Sequence, residues 1–170
     1  MEDIYRIRIF KDNGIYFYKN DKFHREGDLP AYIGQYGQYG YMSYYINGKL
    51  HRTDGPAKIH SNGTIEYWIN GKRHRTDGPA IHNDETIEYW INGERHRMDG
   101  PAKIWYRTDG SAKIWSRTVE YWINGQLHRT DGPAIIYYDG TVEYWINGMS
   151  YIPYTGSDII NINGINIVKK

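Results

Sequence analysis

The chain has 170 residues, no cysteine, and 21 Lys and Arg against 20 Asp and Glu, for a formal charge of +1. Lack of cysteine excludes disulfides, thiolate zinc sites and cysteine nucleophiles, and the balanced charge argues against nucleic-acid binding, which needs a basic stripe. The 39% apolar content is weighted to 18 Tyr and 6 Trp against 3 Phe, side chains with an apolar body and a polar tip that suit half-exposed sheet better than a sealed core.

Residues 5–10 and 15–18 flank Lys11-Asp-Asn-Gly14 and predict an opening hairpin. Asn20 to Ala31 reads as a degraded copy of the unit that follows, with one residue inserted before Pro30. The low-complexity stretch Gly34-Gln-Tyr-Gly-Gln-Tyr-Gly-Tyr41 is expected as a loop or irregular strand.

A block reading Tyr-Trp-Ile-Asn-Gly-x-x-His-Arg-Thr-Asp-Gly-Pro-Ala then recurs. Its Asn-Gly pairs begin at Asn47, Asn70, Asn92, Asn124 and Asn147, with spacings of 23, 22, 32 and 23. A fixed period of this size marks a repeat architecture whose units bury their faces only against neighbours. In the copy Pro133 to Gly148, two runs of β-branched and aromatic residues flank Asp139-Gly140, and Asn147-Gly148 follows. Both dipeptides favour type I′ turns, so the unit reads as a β-hairpin joined to the next through the His-Arg-Thr-Asp-Gly-Pro segment. No segment has a 3.6-residue period. The fold class is all-β, an elongated antiparallel sheet of hairpin repeats.

Alternation along the second strand puts Val142, Tyr144 and Ile146 on one face and Glu143 and Trp145 on the other. The Ile/Tyr face is the better core candidate, with the Glu/Trp face partly wet. Equivalent residues of successive repeats stand two strands apart, roughly 9.5 Å. Trp68 and Trp90 therefore cannot stack directly, and a residue from the intervening strand must sit between them.

The 32-residue spacing comes from a tandem copy, Arg97 to Tyr106 followed by Arg107 to Ser116. One extra strand would flip every later loop to the opposite sheet edge, whereas a hairpin lengthened on both sides and turning at Thr108-Asp109-Gly110 keeps the repeat in phase. Its tip would carry Lys103, Trp105, Tyr106, Arg107, Lys113, Trp115 and Arg117 beyond the neighbouring strands. Beyond the repeats, Ile159 to Val168 around Asn163-Gly164 reads as a closing hairpin. The chain is thus one repeat domain, with caps at 1–19 and 149–170 around repeats at 20–148.

The runs Trp68-Ile-Asn-Gly-Lys-Arg-His74 and Asp139-Gly-Thr-Val-Glu-Tyr-Trp145 resemble the MORN repeat and its viral and bacterial variants over roughly residues 16–148. Two departures stand out. MORN repeats usually have Gly two residues before the Trp, where Glu66, Glu88, Glu120 and Glu143 stand here. They also have Gly directly after the His, where Arg52, Arg75, Arg97 and Arg129 stand here. The resemblance implies an elongated antiparallel scaffold without a cofactor, and a viral or phage structural or host-interaction protein.

Chemistry is weighed against stacking. Five of the seven His recur in the loop (His24, His51, His74, His96, His128), but zinc needs donor atoms near 2.0–2.1 Å from one ion, which repeats roughly 9.5 Å apart cannot supply. A structural role tying the loop is expected. The pairs Arg52/Asp54, Arg75/Asp77, Arg97/Asp99 and Arg129/Asp131 read as turn-capping Asp with a paired Arg. No Glu or Asp stands out from its copies as a catalytic group. The expectation is a non-enzymatic scaffold for a protein partner, with the long hairpin as contact site, since Trp, Tyr and Arg dominate binding hot spots. Exposed Trp on a single sheet also points to a homodimer. The alternative is a binder holding a nucleotide or glycan between aromatic and Arg/His residues, at Trp68, Arg75, Trp90, Arg97, Trp122 and Arg129. No stretch is apolar enough to span a membrane and the start is unlike a signal peptide, so an intracellular or virion-associated location is expected.

Overall fold

The computed structural model describes residues 3–11, 14–36, 39–108, 114–153, 160–162 and 165–167. Among them the chain is all-β, with no helix. Thirteen strands form one antiparallel sheet in meander order. They are Tyr5–Ile9, Ile15–Lys19, Tyr32–Tyr36, Tyr39–Ser43, Lys58–His60, Ile65–Glu66, Ile81–His82, Thr86–Glu88, Lys103–Thr108, Ile114–Glu120, Ile135–Ile136, Val142–Ile146 and Met149–Tyr151. Lys22–Phe23 adds to Ile15–Lys19 off this path. At 4.8 Å per strand the ladder runs for about 58 Å.

The Asn-Gly turns form as the sequence requires. Asn47, Asn70, Asn92, Asn124 and Asn147 have φ of 48–52° and the glycines after them 74–88°, the two left-handed residues of a type I′ turn. The Asp-Gly turn is different. Positive φ falls on Gly140 but not on Asp139, Gly140 N–H bonds the Tyr137 carbonyl, and Tyr137 N–H bonds the Thr141 carbonyl. This is a three-residue loop, a type I turn followed by a left-handed Gly. Asp139 Oδ1 accepts from the Thr141 backbone at 2.9 Å and prefers that cap to its own left-handed conformation.

The strand that reads as continuous from Ile65 to Ile69 breaks at Tyr67, and the same break recurs at Tyr89 and Tyr121. Tyr67 N–H still bonds Ala80 in the sheet, but its carbonyl accepts from His74, which belongs to the Asn-Gly hairpin. Tyr45–Ile46 with Lys49–Leu50, Trp68–Ile69 with Lys72–Arg73, Trp90–Ile91 with Glu94–Arg95, and Trp122–Ile123 with Gln126–Leu127 therefore form separate two-stranded ribbons. Two backbone bonds tie each ribbon to the repeat before, such as Gly71 N–H to Leu50 with Arg52 N–H to Trp68, and Gly93 N–H to Arg73 with Arg75 N–H to Trp90.

Three irregular stretches resolve simply. The degraded repeat absorbs its extra residue at Gly27 and Asp28, both left-handed, so Arg25 reaches the carbonyl of Pro30 five residues on rather than four. The low-complexity stretch is a hairpin of Tyr32–Tyr36 with Tyr39–Ser43, and Tyr32 lies over Gly34, where a Cβ would fall 1.8 Å from its hydroxyl. Strands Ile160–Ile162 and Ile165–Ile167 pair as a closing hairpin; its Asn163-Gly164 turn lies outside the described residues.

The pairing register draws two rows across the sheet. One runs Tyr16, Tyr32, Ser43, Lys58, Glu66, Ile81, Glu88, Lys103, Glu120, Ile135, Glu143. The other, on the opposite face, runs Ile9, Ile15, Ile33, Met42, Ile59, Ile65, His82, Ile87, Ile104, Val119, Ile136, Val142. Neither face is sealed, and burial is shared. Tyr32, Ser43, Ile81, Glu88 and Ile135 are buried on the Glu-bearing face, while Val119 and the fully buried Ala31, Ala57, Ala80, Ala102 and Ala134 lie on the Ile/Tyr face. The alanine after each Gly-Pro is where the repeat loop folds over the sheet, so a small side chain is what fits.

Candidate functional site

Each repeat holds its loop by one arginine. The Arg75 guanidinium lies 3.9 Å from the Tyr67 ring centroid, donates from Nη1 to the Pro79 carbonyl and from Nε to Asp77 at 2.8 Å. A Cβ on Gly78 would come within 3.0 Å of its Cζ. Arg97 on Tyr89 and Arg129 on Tyr121 repeat this. The sequence His-Arg-x-Asp-Gly-Pro is thus a clamp: the guanidinium sits between a ring and bare Gly backbone, with a carbonyl and a carboxylate in its plane. These bonds hold Asp77, Asp99 and Asp131 below the usual carboxylate range. Arg52 instead makes a two-pronged pair with Asp28 of the preceding repeat.

The histidines tie repeat to repeat. Nδ1 of His24, His51, His74, His96 and His128 lies 3.0–3.2 Å from the backbone N of Asn47, Asn70, Asn92, Asn124 and Asn147. The same Nδ1 also lies 2.8–3.0 Å from the side-chain Oδ1 of that Asn, and His24 Nε2 sits 3.2 Å from Glu26. No group of three potential metal ligands occurs among the described residues, and no helix there is long and apolar enough to cross a membrane.

A residue does intervene between successive tryptophans. Arg73 lies 5.0 Å from the Trp68 ring and 5.1 Å from Trp90, and Arg95 4.8 Å from Trp90 and 5.3 Å from Trp122. The indole N–H of Trp68, Trp90, Trp122 and Trp145 donates to the Glu two residues before it, as Trp90 to Glu88 at 2.8 Å. Of the sequence-derived ligand set, Arg75, Arg97 and Arg129 therefore stack on tyrosines rather than facing Trp68, Trp90 and Trp122. The Trp faces are filled by Arg73 and Arg95, so a nucleotide base or sugar ring would have to displace them.

The long hairpin is a different case. Lys103–Thr108 pairs with Ile114–Glu120 in continuous register from Lys103↔Glu120 to Arg107↔Ser116, with a shift before Thr108↔Ile114. The repeat phase survives, since Arg97 N–H bonds Trp122 as Arg75 N–H bonds Trp90. Beside the hairpin lies a cleft of about 500 Å³ walled by Trp105, Tyr106, Arg107 and Arg117 with Glu85, Thr118, Glu120, Tyr137 and Tyr138. Trp105 is 54% exposed and Tyr138 52%. Lys103 stands 4.6 Å from the Trp105 ring and 3.7 Å from Glu120, and Arg107 lies over the Tyr138 ring at 5.0 Å. Lys103 belongs to the sheet at the hairpin's base rather than to its tip. Lys113 and the Trp115 side chain lie outside the described residues.

Sequence reasoning missed the far wall of this cleft. Tyr137-Tyr138 stands where an earlier repeat has His60-Ser61, and that aromatic substitution next to the tandem copy was the available signal. The Tyr137 hydroxyl donates to Glu143 at 2.6 Å, which pushes its pKa up to about 12 and lowers that of Glu143, so both are fixed in place. No family model matches the sequence, and no curated protein matches it.

Proposed function

We propose that this chain is a non-enzymatic β-repeat scaffold that binds a protein partner through the cleft at its long hairpin. One observation carries this reading: Trp105 and Tyr138, both more than half exposed, flank a cleft that also holds Arg107 and Arg117. Large aromatic surfaces with Arg at hand are the usual anchors of protein interfaces. Elsewhere in the repeats the aromatic faces and guanidiniums engage each other, and the MORN-like turn chemistry fits a scaffold role.

The test is a photo-crosslinking residue placed at Tyr138 or, separately, at Ile123 as control, with the chain expressed in its native cell. One discrete adduct with a protein other than a second copy of this chain from position 138, lost when Arg107 and Arg117 are both changed to Glu, is the expected result. No adduct, or the same adducts from both positions, would overturn the proposal.

A further inference from the structure

The aliphatic row is the largest feature that the partner cleft does not use. Eleven of its twelve positions are Ile, Val or Met, yet only Val119 is buried; eight are half-buried, and Ile9 and Val142 at the two ends are 71% and 43% exposed. Among the described residues no large side chain is fully buried. Among the described residues, substantial strand contacts run only between ladder neighbours, so no second sheet covers either face. The opposite face satisfies itself: Glu66, Glu88 and Glu120 accept from tryptophans, and Arg73 and Arg95 fill the gaps between rings. The aliphatic face is closed only along its alanine edge, under the arginine clamp, and the row itself has no such device.

We infer that a second copy of this chain packs face to face on the aliphatic row, closing a two-layer β-sandwich. Three observations favour a copy over another occupant. The row is about 58 Å long, and with the Arg-capped tyrosines beside it the band is some 13 Å wide, on the order of 750 Å² per copy. That is close to the roughly 800 Å² per partner of a standard stable interface. A matching occupant must present apolar side chains at the same strand spacing along the same length, and a second copy does so by identity, at the sheet separation of about 10 Å found in sandwiches. The row is also free of charge: its one polar member is His82, seventh of twelve, which is exposed in the single chain. Trp105 lies on the opposite face and stays open in such a dimer, whereas Tyr138 and Arg117 sit at the margin of the row's own face. Sedimentation of the purified chain reads the copy without any partner, so this inference and the proposed function are tested separately.

His82 supplies the cleanest probe. Being exposed, it can be changed without disturbing a monomer, but in the dimer it lies near the middle of the dry face. Sedimentation equilibrium of the purified full chain is expected to show a dimer in the micromolar range. His82→Leu is expected to tighten it by about tenfold or more, through added apolar burial. Ile87→Lys should weaken it by about a hundredfold, by placing a charge in the interface, while Trp105→Ala on the other face leaves it unchanged. Near-UV dichroism of the tryptophans checks that each variant is folded. A wild type that stays monomeric throughout, or a dimer whose affinity ignores His82→Leu, would overturn the inference. So would a dimer lost with Trp105→Ala.

Discussion

Two sets of arginines run along this sheet, and they do different work with the same side chain. Arg75, Arg97 and Arg129 are held by a ring, a backbone carbonyl, a carboxylate and the bare face of a glycine. Arg73 and Arg95 fill the space between tryptophans of successive repeats. At the positions equivalent to Arg73 and Arg95, the outer ribbons have Leu50 and Leu127 paired with Tyr45 and Trp122. The first set depends on hydrogen-bond geometry, so no other residue type serves. The second depends mainly on volume and an apolar stem, so leucine fills the place in the outer ribbons, although Arg95 Nε also donates to Glu88 at 3.2 Å and Arg73 Nη2 stands 3.6 Å from Glu66.

Substitutions at the two sites should therefore part company, most sharply at Arg75. Arg75→Leu strands the Pro79 carbonyl and removes the stack on Tyr67, and is expected to cost about 2–3 kcal/mol in urea unfolding. A loss no larger than that of Arg73→Leu would break the distinction. Gly78→Ala follows at about 2 kcal/mol, because the guanidinium cannot retreat from the new methyl into the Tyr67 ring; adding Arg75→Ala should make the alanine at position 78 nearly harmless.

Acid should act on the first set through its aspartates. Asp77, Asp99 and Asp131 have pKa values lowered by their Arg bonds. Their contribution is full above the ordinary carboxylate pKa, near 4, and is lost as pH falls through the lowered values. These carboxylates are exposed, so the drop in melting temperature below pH 4 should be modest and should shrink in a triple Asp→Asn variant. An undiminished drop would assign the acid sensitivity to other groups. The smallest effect belongs to Arg73→Leu, expected within about 0.5 kcal/mol of wild type because the dispersion contacts persist. Arg73 Nε is buried without a hydrogen-bond partner, and Glu66 loses only the long 3.6 Å pairing with Nη2 while keeping its bond from Trp68.

Much of the fold was legible because turn chemistry is local. Asn-Gly fixed the five type I′ turns, the doubled segment at 97–116 foretold a long hairpin in phase, and the two-strand spacing required something between Trp68 and Trp90. What stayed hidden was decided by competition between distant groups. Nothing in Ile65-Glu-Tyr-Trp-Ile69 announces that the Tyr67 carbonyl goes to His74. The buried alanines read as turn residues until the arginine clamp is seen folding over them. The candidate site was half legible: Trp105, Tyr106, Arg107 and Arg117 follow from the duplication. Glu85 and Tyr138 reach the cleft only through the pairing of adjacent repeats.

A frame of self-sufficient repeats carrying one added contact element is tested most directly by removing that element. Residues 105–117 would be replaced with the Asn83-Asp84-Glu85 turn of the preceding repeat, and both thermal unfolding and crosslinking from position 138 measured. Unfolding within about 4 °C of wild type, together with loss of the partner adduct, is the expected result. A chain that no longer folds, or that keeps the adduct, would contradict it.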